Sequence, residues 1–191
     1  MQHITLSQIE MIPWYTCGLY FAAGLLDVKH TRREETLKSR VLRYAPMILG
    51  VLLLFDNRFH GGMLGMRFAP QLFWLQVVGI ALTYLGVAFT IWARGALGAN
   101  WSPNVTLKVE HELVLSGPYA FVRHPLYTGL TIALIGAVLE IGEWRAILAF
   151  AILLATHIIK ARQEEKLMAA QFGAQYAEYQ KHSGFLIPRL R

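Results

Sequence analysis

Residues 71–93 form a run of 23 amino acids without a single formal charge. As a helix rising 1.5 Å per residue, a run of that length reaches about 35 Å, enough to cross a hydrocarbon core of about 30 Å with some tilt. A chain carrying it must either bury that helix completely or place it in lipid. Composition decides between the two. Hydrophobic residues make up 55% of the 191 and charged ones 16%, against roughly 45–50% and 25% in soluble domains. Too few polar residues remain to cover a water-facing surface, so lipid is the expected solvent.

Four shorter apolar windows accompany the long one: 9–26, 41–55, 126–141 and 144–159. Only Gly142 and Glu143 separate the last two, which predicts a tight helical hairpin whose tip charges, Glu140, Glu143 and Arg145, snorkel or thin the bilayer. The expected fold is all-α, a polytopic membrane helix bundle of about five transmembrane helices. Nothing in composition divides the chain, so one domain is expected. Residues 1–93 supply helices one to three, and residues 94–191 supply a polar loop, the hairpin and a C-terminal helix.

Basic residues collect in loops that face the cytoplasm. Fifteen of the eighteen lysines and arginines fall after the first window, after the third, or in the tail. Arg58, Arg67 and Arg145 lie on the other side. The expectation is therefore an outside N-terminus and an inside C-terminus, with the polar loop and tail in the cytoplasm. The net charge of +6 is matched by anionic lipid head groups and calls for no nucleic-acid partner. No basic n-region or cleavage site precedes Met11, so no cleaved leader is expected.

Cys17 is the only cysteine, which excludes an intramolecular disulfide and a cysteine metal cluster. The phosphate-binding glycine loops, the H-E-x-x-H helix and the G-x-S-x-G elbow do not occur, and no histidine pair has metal spacing. No metal is expected. Nor is there an internal repeat of the kind transporters carry.

What remains is a polar constellation. Residues 98–123 are too long for a simple connection and too rich in aromatics and aliphatics for a disordered one. They run into GPYAFVRHPLYTG, residues 117–129, where Pro125 directly follows His124 and is placed to open the fourth helix. Tyr127 then shares a helix side with Arg123, and the first-turn amides suit an anionic group. Past the fifth window, Lys160, Arg162, Glu164 and Glu165 continue a helix out of the membrane. If helices four and five pair antiparallel, Glu164 or Glu165 points back to the mouth where helix four begins. On the residues alone, a second reading stands level: Tyr119 and Tyr127 as interfacial belt residues, Arg123 and His124 as holders of lipid phosphates.

The ordered blocks HELVLSGPYAFVRHPLYTG and EEKLMAAQFGAQYAEY resemble the isoprenylcysteine carboxyl methyltransferase family, integral membrane enzymes related to phospholipid methyltransferases. The resemblance covers residues 94–188. It implies S-adenosylmethionine as cofactor, contacted by His111, Leu113, Val114, Tyr119, His124, Pro125, Tyr127 and Glu164, with Glu165 as the alternative carboxylate. It also places Lys160 where the family has an arginine that handles the acceptor carboxylate. Lysine keeps the charge but not the bidentate fork, so Arg162 or Arg94 are the candidate substitutes. A carboxylate acceptor is ionised at neutral pH and requires no base, whereas a thiol or amine would need one, for which His124 is the nearest candidate.

Three readings therefore compete. The first is a monomeric membrane methyltransferase that takes a lipophilic acceptor, prenylcysteine-like, phospholipid or thiol, from the bilayer. The second is an NADPH-dependent sterol-type reductase, which shares an R-H-P-x-Y block. The third is a membrane scaffold that holds lipid head groups without catalysis.

Overall fold

The computed structural model describes residues 6–25, 37–101 and 113–189. Among the described residues five α-helices form the bundle: α1 (Leu6–Gly24), α2 (Leu37–Phe55), α3 (Phe73–Leu97), α4 (Pro125–Ile141) and α5 (Trp144–His182). Each coincides with one of the five apolar windows. Among the described residues there is no β-strand, only two isolated bridges. By length and composition, two helices are able to cross a membrane, Phe73–Asn100 and Trp144–His182, while Tyr44–Phe55 and Pro125–Ile141 are shorter apolar helices.

The closest packing joins α3 to α4. Their shared seam is built from small residues seven positions apart, Gly79 and Gly86 on α3 against Gly129 and Gly136 on α4. A Cβ on Gly86 would lie 2.5 Å from the carbonyl oxygen of Gly129, and one on Gly136 would lie 2.5 Å from that of Gly79. Ala133, Thr83 and Thr90 fill the intervals, all fully buried. Two backbones in lipid gain little from hydrophobic burial against each other, so this closeness, and the dispersion it permits, holds them together. The Thr90 hydroxyl returns to the Gly86 carbonyl at 2.9 Å, which satisfies that hydroxyl inside the seam.

Helices α4 and α5 do meet in a tight turn, closed by Gly142 in the left-handed region (φ 63°, ψ 21°). The expected hairpin is nonetheless a secondary contact: α4 lies mainly on α3, and α5 mainly on α2. Leu53 and Leu54 of α2, Leu134 and Ala137 of α4, and Ala146, Ala149 and Leu153 of α5 form one apolar core.

The hairpin tip also departs from expectation. Glu143 and Arg145 are buried rather than snorkelling. The Arg145 Nε donates to Glu143 at 2.6 Å, and its Nη1 donates to the carbonyls of Leu53 and Leu54 at 2.7 Å each. Those two carbonyls belong to the last turn of α2, where no intrahelical donor exists, so Arg145 caps α2 from the start of α5. Glu140 is likewise engaged, accepting from the Thr83 hydroxyl at 2.7 Å. Internal partners, invisible in a linear reading, replace the interface as the place where these charges are satisfied.

α5 runs on for 39 residues, far past its apolar stretch, with one non-helical residue at Gly173 (φ 48°, ψ −118°). That extension carries the acidic pair and the aromatic stripe to the mouth where α4 begins.

Candidate active site

Pro125 occupies the first turn of α4 and His124 stands as its N-cap, as the R-H-P order predicts. His124 is fixed from three sides. Its backbone N–H donates to the Phe185 carbonyl at 3.3 Å, and its ring meets Phe185 edge-on at 5.1 Å and lies over Tyr127 at 5.8 Å. The returning tail is bound beside it by Arg123 N to Gly184 O at 2.8 Å, Gly184 N to Phe121 O at 3.0 Å, and the Thr128 hydroxyl to Leu186 O at 2.7 Å.

The acidic pair closes on this point. The Tyr127 hydroxyl donates to Glu164 Oε1 at 2.8 Å. The two ring nitrogens of His124 each stand 3.6 Å from a carboxylate, Nδ1 from Glu164 and Nε2 from Glu165. These are ion-pair separations rather than hydrogen bonds, and Nε2 is buried without a hydrogen-bond partner among the described residues. Lys160 sits one turn before Glu164, 3.9 Å from it and 5.8 Å above the Tyr127 ring.

The two glutamates differ in what they have left to offer. Glu165 accepts from the Arg123 Nε at 2.5 Å, and the same guanidinium donates to the Ser183 carbonyl. Burial alone would raise its pKa, but His124 and Arg123 together hold it down at about 2. Glu165 is thus a fastener between α4, α5 and the tail. Glu164 is also held below the usual carboxylate range: burial opposes its charge, and His124, Lys160 and the Tyr127 hydroxyl outweigh burial. It therefore presents an ionised carboxylate toward the aromatic side of the mouth. Burial likewise disfavours a charged His124, yet the two carboxylates reverse the balance and raise its pKa.

Tyr119 is buried beside this group, and its backbone carbonyl accepts from the Tyr179 hydroxyl at 2.6 Å. Burial first, and the nearby Glu164 charge second, hold its hydroxyl well above the ordinary phenol range. Leu113 and Val114 are half-buried in the irregular stretch before the turn at Gly117–Ala120. His111 lies outside the described residues.

The two other expected basic residues are placed differently. Arg162 is exposed, and it stands two residues from both Lys160 and Glu164, which puts it on the opposite side of α5. Arg94 is buried and donates to two carbonyls, Gly98 at 2.8 Å and Gly24 at 3.2 Å, with its guanidinium 4.3 Å above the Trp101 ring. It ties the end of α1 to the end of α3, although its charge still reaches Tyr119. Sequence reasoning missed His157, whose ring stacks on Tyr127 at 5.4 Å and 20°. Its signal was available: His157, Lys160 and Glu164 follow one another at helical spacing on a single face of α5.

A family model described as the isoprenylcysteine carboxyl methyltransferase (ICMT) family matches residues 78–170. That stretch holds His124, Tyr127, Glu164 and Glu165. The human protein-S-isoprenylcysteine O-methyltransferase is 26% identical over 180 residues, covering 88% of this chain and 61% of its own. The B form from Arabidopsis thaliana is 28% identical over 181 residues, 93% of this chain and 89% of its own. The cobalt-zinc-cadmium resistance protein CzcN of Cupriavidus metallidurans is 32% identical over 145 residues, 75% of this chain and 59% of its own. In fold, the chain is similar to a solved eukaryotic intramembrane Ras methyltransferase ICMT, with a TM-score of 0.60 at 21% identity over 96% of this chain and 64% of that one. The chain therefore spans less than two thirds of the human protein and of the solved structure. The matched stretch and the relatives are similar to the isoprenylcysteine carboxyl methyltransferase family, and the fold is similar to that of the solved methyltransferase.

Proposed function

We propose that this chain is an integral membrane methyltransferase that transfers the methyl of S-adenosylmethionine to a lipid-like acceptor, the carboxylate of a prenylcysteine-type molecule. One observation carries the reading: ionised Glu164, bonded by Tyr127 and flanked by His124 and Lys160, stands among aromatic rings where α4 starts and α5 continues beyond its apolar stretch. The match of residues 78–170 to the isoprenylcysteine carboxyl methyltransferase family model supports it.

The residues present fit such a cofactor. A ligand that is cationic at its reacting centre, and that carries ammonium and hydroxyl donors, suits a charged carboxylate set against tyrosine faces. Bound there, S-adenosylmethionine supplies an electrophilic methyl on a positively charged sulfur. Glu164 accepts its polar donors, and Tyr119 and Tyr127 present ring faces that stabilise a cation without attacking it. Leu113 and Val114 add apolar contact, and His111 belongs to the same group by resemblance. The buried Nε2 of His124, lacking a hydrogen-bond partner among the described residues, is a further polar atom with capacity for a ligand. Pro125 and the first-turn amides behind it leave donors for a carboxylate. Lys160 is the basic residue at Tyr127 and orients the acceptor carboxylate. Because that nucleophile is already ionised, alignment and exclusion of water supply the rate enhancement.

In the membrane we infer five crossings, the N-terminus outside, and the site with the C-terminus on the cytoplasmic side, working as a monomer. The fifteen basic residues on that side support this orientation. Incubating purified protein with labelled S-adenosylmethionine and a panel of prenylcysteine, phospholipid and thiol acceptors tests the function. Label is expected in the prenylcysteine ester. Saturable NADPH binding, with no label transferred to any acceptor, would overturn the reading in favour of a reductase.

A further inference from the structure

His157 has no role in the steps above, yet it is placed to have one. It lies on α5 one turn before Lys160, and its ring stacks against Tyr127, the residue that bonds Glu164. Its Nδ1 is buried and makes no hydrogen bond among the described residues. A buried imidazole nitrogen left without a partner costs free energy, and structures keep such atoms chiefly where a ligand or water completes them. Lys160, whose ammonium stands 5.8 Å from the centre of the same tyrosine ring, brings a positive charge to that ring. An ammonium is a point charge and fixes only one end of a planar anion. A second donor beside it would fix the other.

We propose that His157 Nδ1–H is that second donor, so that His157 and Lys160 together form the subsite for the acceptor's carboxylate. This inference rests on the methyltransferase reading above. The subsite takes a planar monoanion, one oxygen on the ammonium and the other on the imidazole. His157 acts as a neutral hydrogen-bond donor and abstracts no proton, consistent with a nucleophile already ionised. The methyl transfer itself is unchanged: the carboxylate oxygen gains the methyl, the sulfonium sulfur loses it and keeps the electron pair of the broken bond.

The test compares three variants by acceptor kinetics and by titration with S-adenosylhomocysteine. An asparagine amide nitrogen can occupy the place of Nδ1, a glutamine amide reaches further toward Nε2, and phenylalanine keeps the stacked ring without a donor. His157→Phe and His157→Gln are expected to raise KM for a prenylcysteine acceptor about tenfold or more, as the loss of a hydrogen bond to a charged group does. His157→Asn is expected to stay within about threefold of the parent. S-adenosylhomocysteine affinity should be unchanged in all three. Equal KM in His157→Phe and the parent would overturn the inference while leaving the methyltransferase reading intact. So would a kcat collapse in His157→Asn, because that result makes the imidazole a base. Failure of the parent protein to bind S-adenosylhomocysteine would remove the methyltransferase reading itself, and the subsite with it.

Discussion

At the scale of single residues, the two adjacent glutamates do different work because helical geometry sends them to different neighbours. Glu164 meets Tyr127, and Glu165 meets Arg123. Glu164→Ala is expected to weaken S-adenosylhomocysteine binding about tenfold or more while the protein stays folded, as calorimetric titration would show. Glu165→Gln should instead lower thermal stability. Its carboxyl titrates at about 2 when folded against 4.5 as a free group. A depressed value means stability that is present above pH 4.5 and lost as pH falls from 4.5 toward 2. His124 acts in the opposite sense. Its pKa is raised from 6.5, so its contribution is complete below 6.5 and disappears as pH rises through the folded value. Melting temperature in detergent should therefore plateau between about pH 5 and 6.5, and Glu165→Gln should flatten the acid limb. From the sequence, one of the two carboxylates is expected to face the mouth if helices four and five pair antiparallel. Which one it was, and that Arg123 claims the other, depended on the tail folding back over residues 121–124, a contact 60 residues distant that no local pattern encodes.

At the scale of elements, all five helices were legible as apolar windows because helix length and hydrophobicity are local properties. Their partnership was not. Short connection favoured an α4–α5 hairpin, but the glycine seam between α3 and α4 allows a closer approach and outranks it. Gly86→Leu would push a side chain into the backbone of α4 and is expected to cost about 1–3 kcal/mol or abolish folding. Gly18, with open space around it, should accept Ala with no loss of melting temperature. At the other end, Arg145→Ala would leave Glu143 as a buried charge deprived of its guanidinium and uncap α2. A loss of about 3–5 kcal/mol is expected, read as a lowered denaturation midpoint. Arg145 is buried there rather than snorkelling because an internal acceptor set, the last carbonyls of α2, takes its donors.

At the scale of the whole molecule, the chain places its charges asymmetrically. One end of the bundle holds the buried Arg145–Glu143 pair and the loop over it, where the Trp144 and Arg145 amides donate to Met66 and Leu64 carbonyls at 3.1 and 2.9 Å. The other end gathers Arg94, Arg123, Lys160 and the glutamates. A C-terminal epitope on expressed protein is expected to become reactive only after the cells are permeabilised, and labelling of intact cells would contradict the proposed orientation. The most direct test of the proposed site is titration of folded, purified protein with S-adenosylhomocysteine. One saturable site in the parent chain, weakened in Glu164→Ala and retained in Arg162→Ala, is the expected result. A folded parent that takes up no S-adenosylhomocysteine would contradict it.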